Sequence, residues 1–225
     1  MNLDTEFARK NMVQQQIRCW DVSSPSILKT LKNVPRELFV PEQYANLAFA
    51  DVMLPLGKDD TGYEHKMLKP QLEGRILQEL KIQPTDRALV IGTGSGYLTA
   101  CLAQLTRHVT SIDLSADMIS LAEQHLDELG MTNVELRVED IFDRPATAEF
   151  DIIAVTGSLP VYDARIEAWL KPGGRAFVVV GTAPAMEACR IERSVNDEIT
   201  YQSLFETVIP PLANAPQPLS SEFHA

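Results

Sequence analysis

The stretch Arg87–Tyr97, which reads RALVIGTGSGY, constrains this chain more than any other. Ala88–Ile91 is a short apolar run of the kind that forms a buried strand, and it stops abruptly at Gly92-Thr93-Gly94-Ser95-Gly96. From Tyr97 to Leu105 the apolar residues return at helical spacing. A strand, a glycine turn and a helix in that order bring backbone close to a ligand and aim helix N–H groups at it. Glycines alternating through the turn remove the Cβ atoms that would hold such a ligand away.

The segments that follow repeat the alternation. His108–Asp113 reads as a second strand, and Ser115 is placed to cap a helix carrying Met118, Ile119, Ala122, Leu126 and Leu129, with Gly130 closing it. Val134–Val138 alternates as a strand, Phe150–Val155 is a fourth, and 162–170 reads as a helix. Lys171–Gly174 reads as a turn and Arg175–Val180 as a fifth strand. Strands alternating with helices imply right-handed crossovers and a parallel sheet covered on both faces. Cys189–Val195 and Thr200–Val208 flank Asn196-Asp197-Glu198 as an antiparallel hairpin. The expected fold is α/β: a doubly wound, mostly parallel, Rossmann-like sheet of about seven strands ending in that hairpin.

Ahead of the sheet, residues 3–18 are spaced as an amphipathic helix. Ser24-Pro25 starts a second helix that Pro35 ends, and Pro41 opens a third, short one through Leu47. These form an N-terminal helical cap. Asp51–Lys69 has no sustained period and reads as a long loop beside the ligand site. Pro70 then starts a helix with Leu72, Ile76, Leu77 and Leu80 on one face. We expect one domain over 1–212, with helices and loop in 1–69 and the sheet in 70–212. Residues 213–225 are expected as an extended proline-rich tail.

In such a sheet a ligand lies across the carboxyl ends of the strands. Asp113 ends the second strand about twenty residues past the glycine turn, where an acid accepts hydrogen bonds from ribose hydroxyls. Asp140 ends the third strand and faces the same crevice. With Leu114 and Ile141 beside them, and Gly92, Thr93, Gly94, Ser95 and Gly96, these are the candidate cofactor contacts. A dinucleotide fingerprint requires a glycine at position 97, which is Tyr; G-x-G-x-G instead resembles the motif of S-adenosylmethionine (SAM) methyltransferases.

A net charge of −11 argues against nucleic acid or anionic membrane as partners. Cys19, Cys101 and Cys189 form no C-x-x-C pair, and the four histidines show no metal-ligand spacing, so no metal is expected. Charged residues near the start and the absence of a long apolar run make a cytoplasmic location the expectation.

IGTGSGY, together with MVQQQIR (12–18), VPRELFVPEQY (34–44), LPLG (54–57), FDIIAVTGSLP (150–160), LKPGGR (170–175) and the C-terminal FETVIPPL, resembles the protein-L-isoaspartate O-methyltransferase family. The likeness runs to about Leu212. It implies a seven-stranded methyltransferase fold, SAM as cofactor, and methyl transfer to the abnormal carboxyl of an isoaspartyl residue in damaged protein. That acceptor is already ionised at neutral pH, with a pKa near ~4, so no general base is required and positioning supplies most of the rate.

Two departures from the family pattern bear on function. The family usually carries an acid two residues before the first glycine, and this chain has Val90. The family also carries T-I-S-Q-P ahead of the helix at Pro70. Here the aligned residues are Lys66-Met67-Leu68-Lys69-Pro70, after an insertion. Lys58, His65, Lys66 and Lys69 can attract an acidic acceptor by charge, against Asp59, Asp60 and Glu64. Tyr63, Met67 and Leu68 can alternatively admit a more apolar one, including a small molecule, or the segment only closes over the cofactor. His65, Lys66 and Leu68 are the candidate acceptor contacts, and no catalytic side chain is assigned. A binding module that kept the fold without turnover is the rival from another class.

Overall fold

The computed structural model describes residues 3–59, 61–145 and 147–218. Asp60 and the last part of the expected tail, 219–225, lie outside the described residues. The first helix, α1 (Leu3–Asn11), runs on through wider and then tighter helical turns to Trp20, where Asp21 takes a left-handed conformation. Met12, Val13 and Ile17 are buried as the spacing requires, but Phe7 is 67% exposed. α2 (Pro25–Asn33) follows, with proline in its first turn. Two short 3₁₀ turns then lead to Ala48.

The segment expected as an irregular loop is a β-hairpin. β1 (Leu54–Lys58) pairs antiparallel with β2 (Glu64–Met67). Its turn is built by Asp59, whose Oδ1 accepts from the Thr61 and Tyr63 backbone N–H groups at 2.9 and 3.0 Å, and by Gly62 at φ +84°. An Asx turn followed by a left-handed glycine reverses a chain without needing a long apolar alternation. This is why periodicity did not disclose the hairpin.

α3 (Pro70–Glu79), β3 (Arg87–Ile91), α4 (Tyr97–Leu105), β4 (His108–Asp113), α5 (Ala116–Glu128) and β5 (Val134–Val138) fall where their patterns place them. The Ser115 hydroxyl caps α5 by accepting from the Met118 N–H, and Gly130 closes it at φ +62°. β6 (Phe150–Leu159) is longer than its apolar run. α6 is only Arg165–Trp169, because Leu170 already begins β7 (Leu170–Thr182). The expected turn at Lys171–Gly174 is a bulge within β7, where the pairing with β6 jumps from Phe150↔Leu170 to Ile152↔Arg175. β8 (Ala185–Arg193) and β9 (Ile199–Glu206) complete the antiparallel end.

The main sheet has seven strands in the order β5-β4-β3-β6-β7-β8-β9, parallel from β5 through β7. Alternate residues of β3 serve different layers. Ala88 and Val90 join the core under α1–α5, whereas Leu89 and Ile91 join a second core with Trp169, Ile166 and Ile141. The chain runs from β3 outward to β4 and β5, then returns to β6 on the other side of β3. That reversal opens a crevice at the strands' carboxyl ends.

The residues after β9 do not hang free as an extended tail. Pro210–Leu212 runs parallel beside the end of β6: the Ser158 N–H donates to Pro210 O at 2.8 Å, and the Leu212 N–H to Ser158 O at 2.9 Å. Ile209 and Ala215 are buried. The boundary drawn at 212 therefore falls inside a packed segment, held by backbone hydrogen bonds that composition alone does not reveal.

Candidate active site

A cavity of about 460 Å³ occupies the crevice above β3. Its floor is the glycine turn. Gly92, Thr93, Gly94 and Ser95 border it, held by the Gly92 and Thr93 N–H groups donating to Ile112 O at 2.9 and 3.2 Å. Below them a hydroxyl cluster links Thr93 to Ser111 at 2.7 Å and Ser111 to Thr99 at 2.9 Å. These buried hydroxyls satisfy one another and fix the turn on β4 and α4.

The glycines divide their work. Gly92 sits at φ +90°, and a Cβ there would stand 2.2 Å from the Thr156 hydroxyl, which itself donates to Ile91 O and Gly92 O at 3.0 and 2.7 Å. Gly94, at φ +52°, faces the open cavity with Leu56 as its nearest neighbour. Gly96 is not on the cavity wall. At φ +86° it lies against Ala122 of α5, so its requirement is helix packing and not ligand contact.

Asp113, Leu114, Asp140 and Ile141 border the cavity at the ends of β4 and β5. Asp113 is nine-tenths buried; its Oδ2 accepts from the Gly94 N–H and its Oδ1 from the Ser115 N–H, both at 3.0 Å. The carboxylate thus ties the glycine turn to the start of α5 and keeps further lone pairs toward the cavity. Asp140 accepts from the Phe142 N–H at 2.9 Å and from Asn214 Nδ2 at 3.0 Å. Through Asn214 the chain beyond β9 reaches the wall formed by the ends of β4 and β5.

His65, Lys66 and Leu68 also border the cavity, on the β1–β2 side. Lys66 Nζ is paired with Glu64 at 2.9 Å, and His65 Nε2 with Asp59 Oδ2 at 3.2 Å. Leu68 is buried, and its carbonyl accepts from the Arg36 guanidinium at 2.7 Å. Tyr63 stacks edge-on against His65 and donates its hydroxyl to Pro211 O at 2.7 Å, closing the hairpin onto the post-β9 segment. Burial and the nearby charges of Asp113 and Asp59 push the Tyr63 phenol upward, so it stays a donor.

Several wall residues were not anticipated: Glu73 and Tyr97, Thr156 and Gly157, and Pro210, Leu212, Ala213 and Asn214. Glu73 had a visible signal, since it interrupts the apolar face formed by Leu72, Ile76, Leu77 and Leu80. It is paired with the fully buried Arg36, which also donates to Ala48 O at 2.9 Å and lies over the Tyr97 ring. Burial pushes the Glu73 carboxyl up to about 8 against the opposing pull of Arg36. Among the described residues no cluster of His, Cys, Asp and Glu is suited to a metal ion, and no helix is long and apolar enough to cross a membrane.

The likenesses to known proteins agree with this architecture. A protein-L-isoaspartate O-methyltransferase of Trichlorobacter lovleyi is 35% identical over 199 residues, covering 88% of this chain and 89% of that one. A solved protein-L-isoaspartate O-methyltransferase superposes with a TM-score of 0.77 at 22% identity, covering 90% of this chain; this chain spans 65% of that one, just under two-thirds. A Plasmodium falciparum structure described as a PCMT, in complex with S-adenosyl-L-homocysteine, superposes at 0.73 with 18% identity, over 91% of this chain and 97% of that one. At these identities the structures speak for the fold. The sequence profile of the family described as protein-L-isoaspartate(D-aspartate) O-methyltransferase (PCMT) matches residues 7–217, and this chain belongs to that family.

Proposed function

We propose that this protein is a SAM-dependent O-methyltransferase acting on isoaspartyl carboxylates in protein or peptide. The observation that carries the reading is the site around Asp113. A buried carboxylate at the end of β4 is locked to the Gly94 N–H, beside a turn where a Cβ on Gly92 would collide with Thr156. Such a cradle fits a nucleoside: bare backbone beneath it, an acid for ribose hydroxyls and Asp140 at the next strand end. Gly92, Thr93, Gly94, Ser95, Asp113, Leu114, Asp140 and Ile141 would hold SAM, which supplies an electrophilic methyl group when bound.

The chain's own contribution is positioning and exclusion of water. The hairpin roofs the cavity through the Tyr63–Pro211 hydrogen bond, and a closed site strengthens every electrostatic contact within it. Lys66, paired with Glu64, is a cation on the acceptor wall that an anionic carboxylate can engage, with the His65 ring beside it. The acceptor needs no deprotonation at neutral pH, so alignment of oxygen, methyl carbon and sulfur is the main task. A cytoplasmic, protein-repair setting belongs to the same reading.

A second reading is favoured by one feature: the buried Leu68, beside Met67, presents hydrocarbon where the family carries a serine. On that reading the acceptor is a different carboxylate or a small molecule. Transfer of labelled methyl from SAM to an isoaspartyl peptide, beside its normal aspartyl twin, separates them. Labelling of the isoaspartyl peptide alone is the expected result. SAM binding without labelling of either peptide would refute isoaspartyl transfer and favour the other acceptor.

A further inference from the structure

Five carboxylates border the cavity: Asp59, Glu73, Asp113, Glu139 and Asp140. In four of them both oxygens already accept at least one hydrogen bond. Asp59 is held by its own turn and by His65, Asp113 by two backbone N–H groups, and Asp140 by Phe142 N–H and Asn214. Both oxygens of Glu139 accept from Arg144 at 2.9 Å. Glu73 differs: Oε2 meets Arg36, while Oε1 accepts no hydrogen bond among the described residues. Its side chain is 3% exposed, so that oxygen opens only toward the cavity. A buried carboxylate with an open acceptor on a ligand cavity calls for a donor from the ligand.

Position and chemistry identify the donor. Asp113 and Asp140 mark one wall, at the ends of β4 and β5. Glu73 comes from α3, on a wall it shares with Leu68 and Tyr97. A nucleoside seated at the first wall turns its other end away from β4 and β5. The β3 residue Val90 offers no polar group there, because it is fully buried in the apolar core and does not border the cavity. Resting on the SAM reading above, we infer that Glu73 binds the α-ammonium group of the cofactor's methionine portion, with Arg36 behind it as the positioning residue. An ammonium is a compact charge with three donors and fits a single open carboxylate oxygen. Arg36 sets the carboxylate's orientation through its three buried contacts, to Glu73, Ala48 O and Leu68 O, without itself bordering the cavity.

The groups facing Glu73 fix the sign of its pH response. Arg36 favours the ionised form; Asp51, ahead of β1, opposes it, and Tyr97 and Cys101 of α4 are its other titratable neighbours. Burial raises the carboxyl to about 8, which favours its protonated form in the free protein, whereas a cation at Oε1 favours the carboxylate. An incoming ammonium favours ionisation, so binding near neutral pH releases protons. Affinity then rises with pH up to about 8 and levels off.

Titration calorimetry with S-adenosylhomocysteine and with 5′-methylthioadenosine, which lacks the amino-acid portion, tests this in two buffers of different ionisation enthalpy. We expect the wild-type protein to release a proton with the first ligand and none with the second. Glu73→Gln should weaken the first roughly 10- to 100-fold and the second by less than about twofold. Equal affinity of wild type and Glu73→Gln for S-adenosylhomocysteine, or equal proton release with both ligands, overturns the assignment. Should Glu73→Gln fail to fold because Arg36 loses its partner, the wild-type proton counts decide alone. If the wild type binds neither ligand, the SAM reading itself falls and the role of Glu73 falls with it; binding of both with equal proton counts removes Glu73 only.

Discussion

The two walls of the cavity are built by different means. The β3–β4–β5 wall is backbone: a glycine turn, strand-end carboxylates locked by N–H groups, and buried hydroxyls beneath. The opposite wall is side chain: Tyr63, His65 and Lys66 on a two-stranded hairpin, tied down by the Tyr63 hydroxyl and by exposed or half-buried ion pairs. Backbone geometry resists change, whereas side chains on a short hairpin can be exchanged at small cost. The first wall suits a ligand that never varies; on the reading proposed above, the second is the one that faces the acceptor.

The comparison is broken hardest by Gly92→Ala. Positive φ and a Cβ at 2.2 Å from Thr156 Oγ1 should cost about 2–5 kcal/mol of stability and abolish S-adenosylhomocysteine binding. Denaturant melts beside calorimetry would show it, and unchanged binding would mean the turn is not the cradle. Asp113→Ala should come next, weakening that ligand roughly 10- to 100-fold, since it removes charged acceptors from the Gly94 and Ser115 N–H groups. Wild-type affinity in this variant would move the ribose contact elsewhere.

On the other wall the effects should be smaller and of another kind. Tyr63→Phe deletes the hydroxyl bond to Pro211 O, worth about 0.5–1.5 kcal/mol, and should speed amide exchange across 54–67 while leaving exchange in β3 and β4 alone. Lys66→Ala should lower kcat/KM for an isoaspartyl peptide only about two- to fivefold, with cofactor affinity intact and the difference fading at high salt. An equal loss of cofactor affinity would show that the walls are not independent.

The same contrast explains what was legible in the sequence. Gly92, Gly94, Asp113 and Asp140 could be located because strand–turn–helix spacing fixes where strand ends meet. The position of Gly96 against Ala122, off the cavity wall, is not legible in the motif because it depends on α5, a separate element. The hairpin escaped because an Asx turn and few alternating residues leave little periodicity. Glu73 is visible as a polar break in the apolar face of α3, but its meaning depends on Arg36, from a different helical turn, and on a cavity closed by residues beyond β9. The chain past Leu212 reads as tail, since prolines beside small residues look the same whether free or, as at Asn214, tied to Asp140.

The pinning at Ser158 has a consequence in time. The cavity joins Asp59 and Thr61 to Pro210 and Asn214, and the Tyr63–Pro211 hydrogen bond across it closes a separation of 148 residues. Loop closure over such a separation comes late, after local helices and neighbouring strands have formed. During synthesis the sheet's central strands can therefore pair while one wall of the site is still missing. The pocket becomes complete only when the segment after β9 reaches Ser158, so a ligand meets its whole site only once that segment has docked.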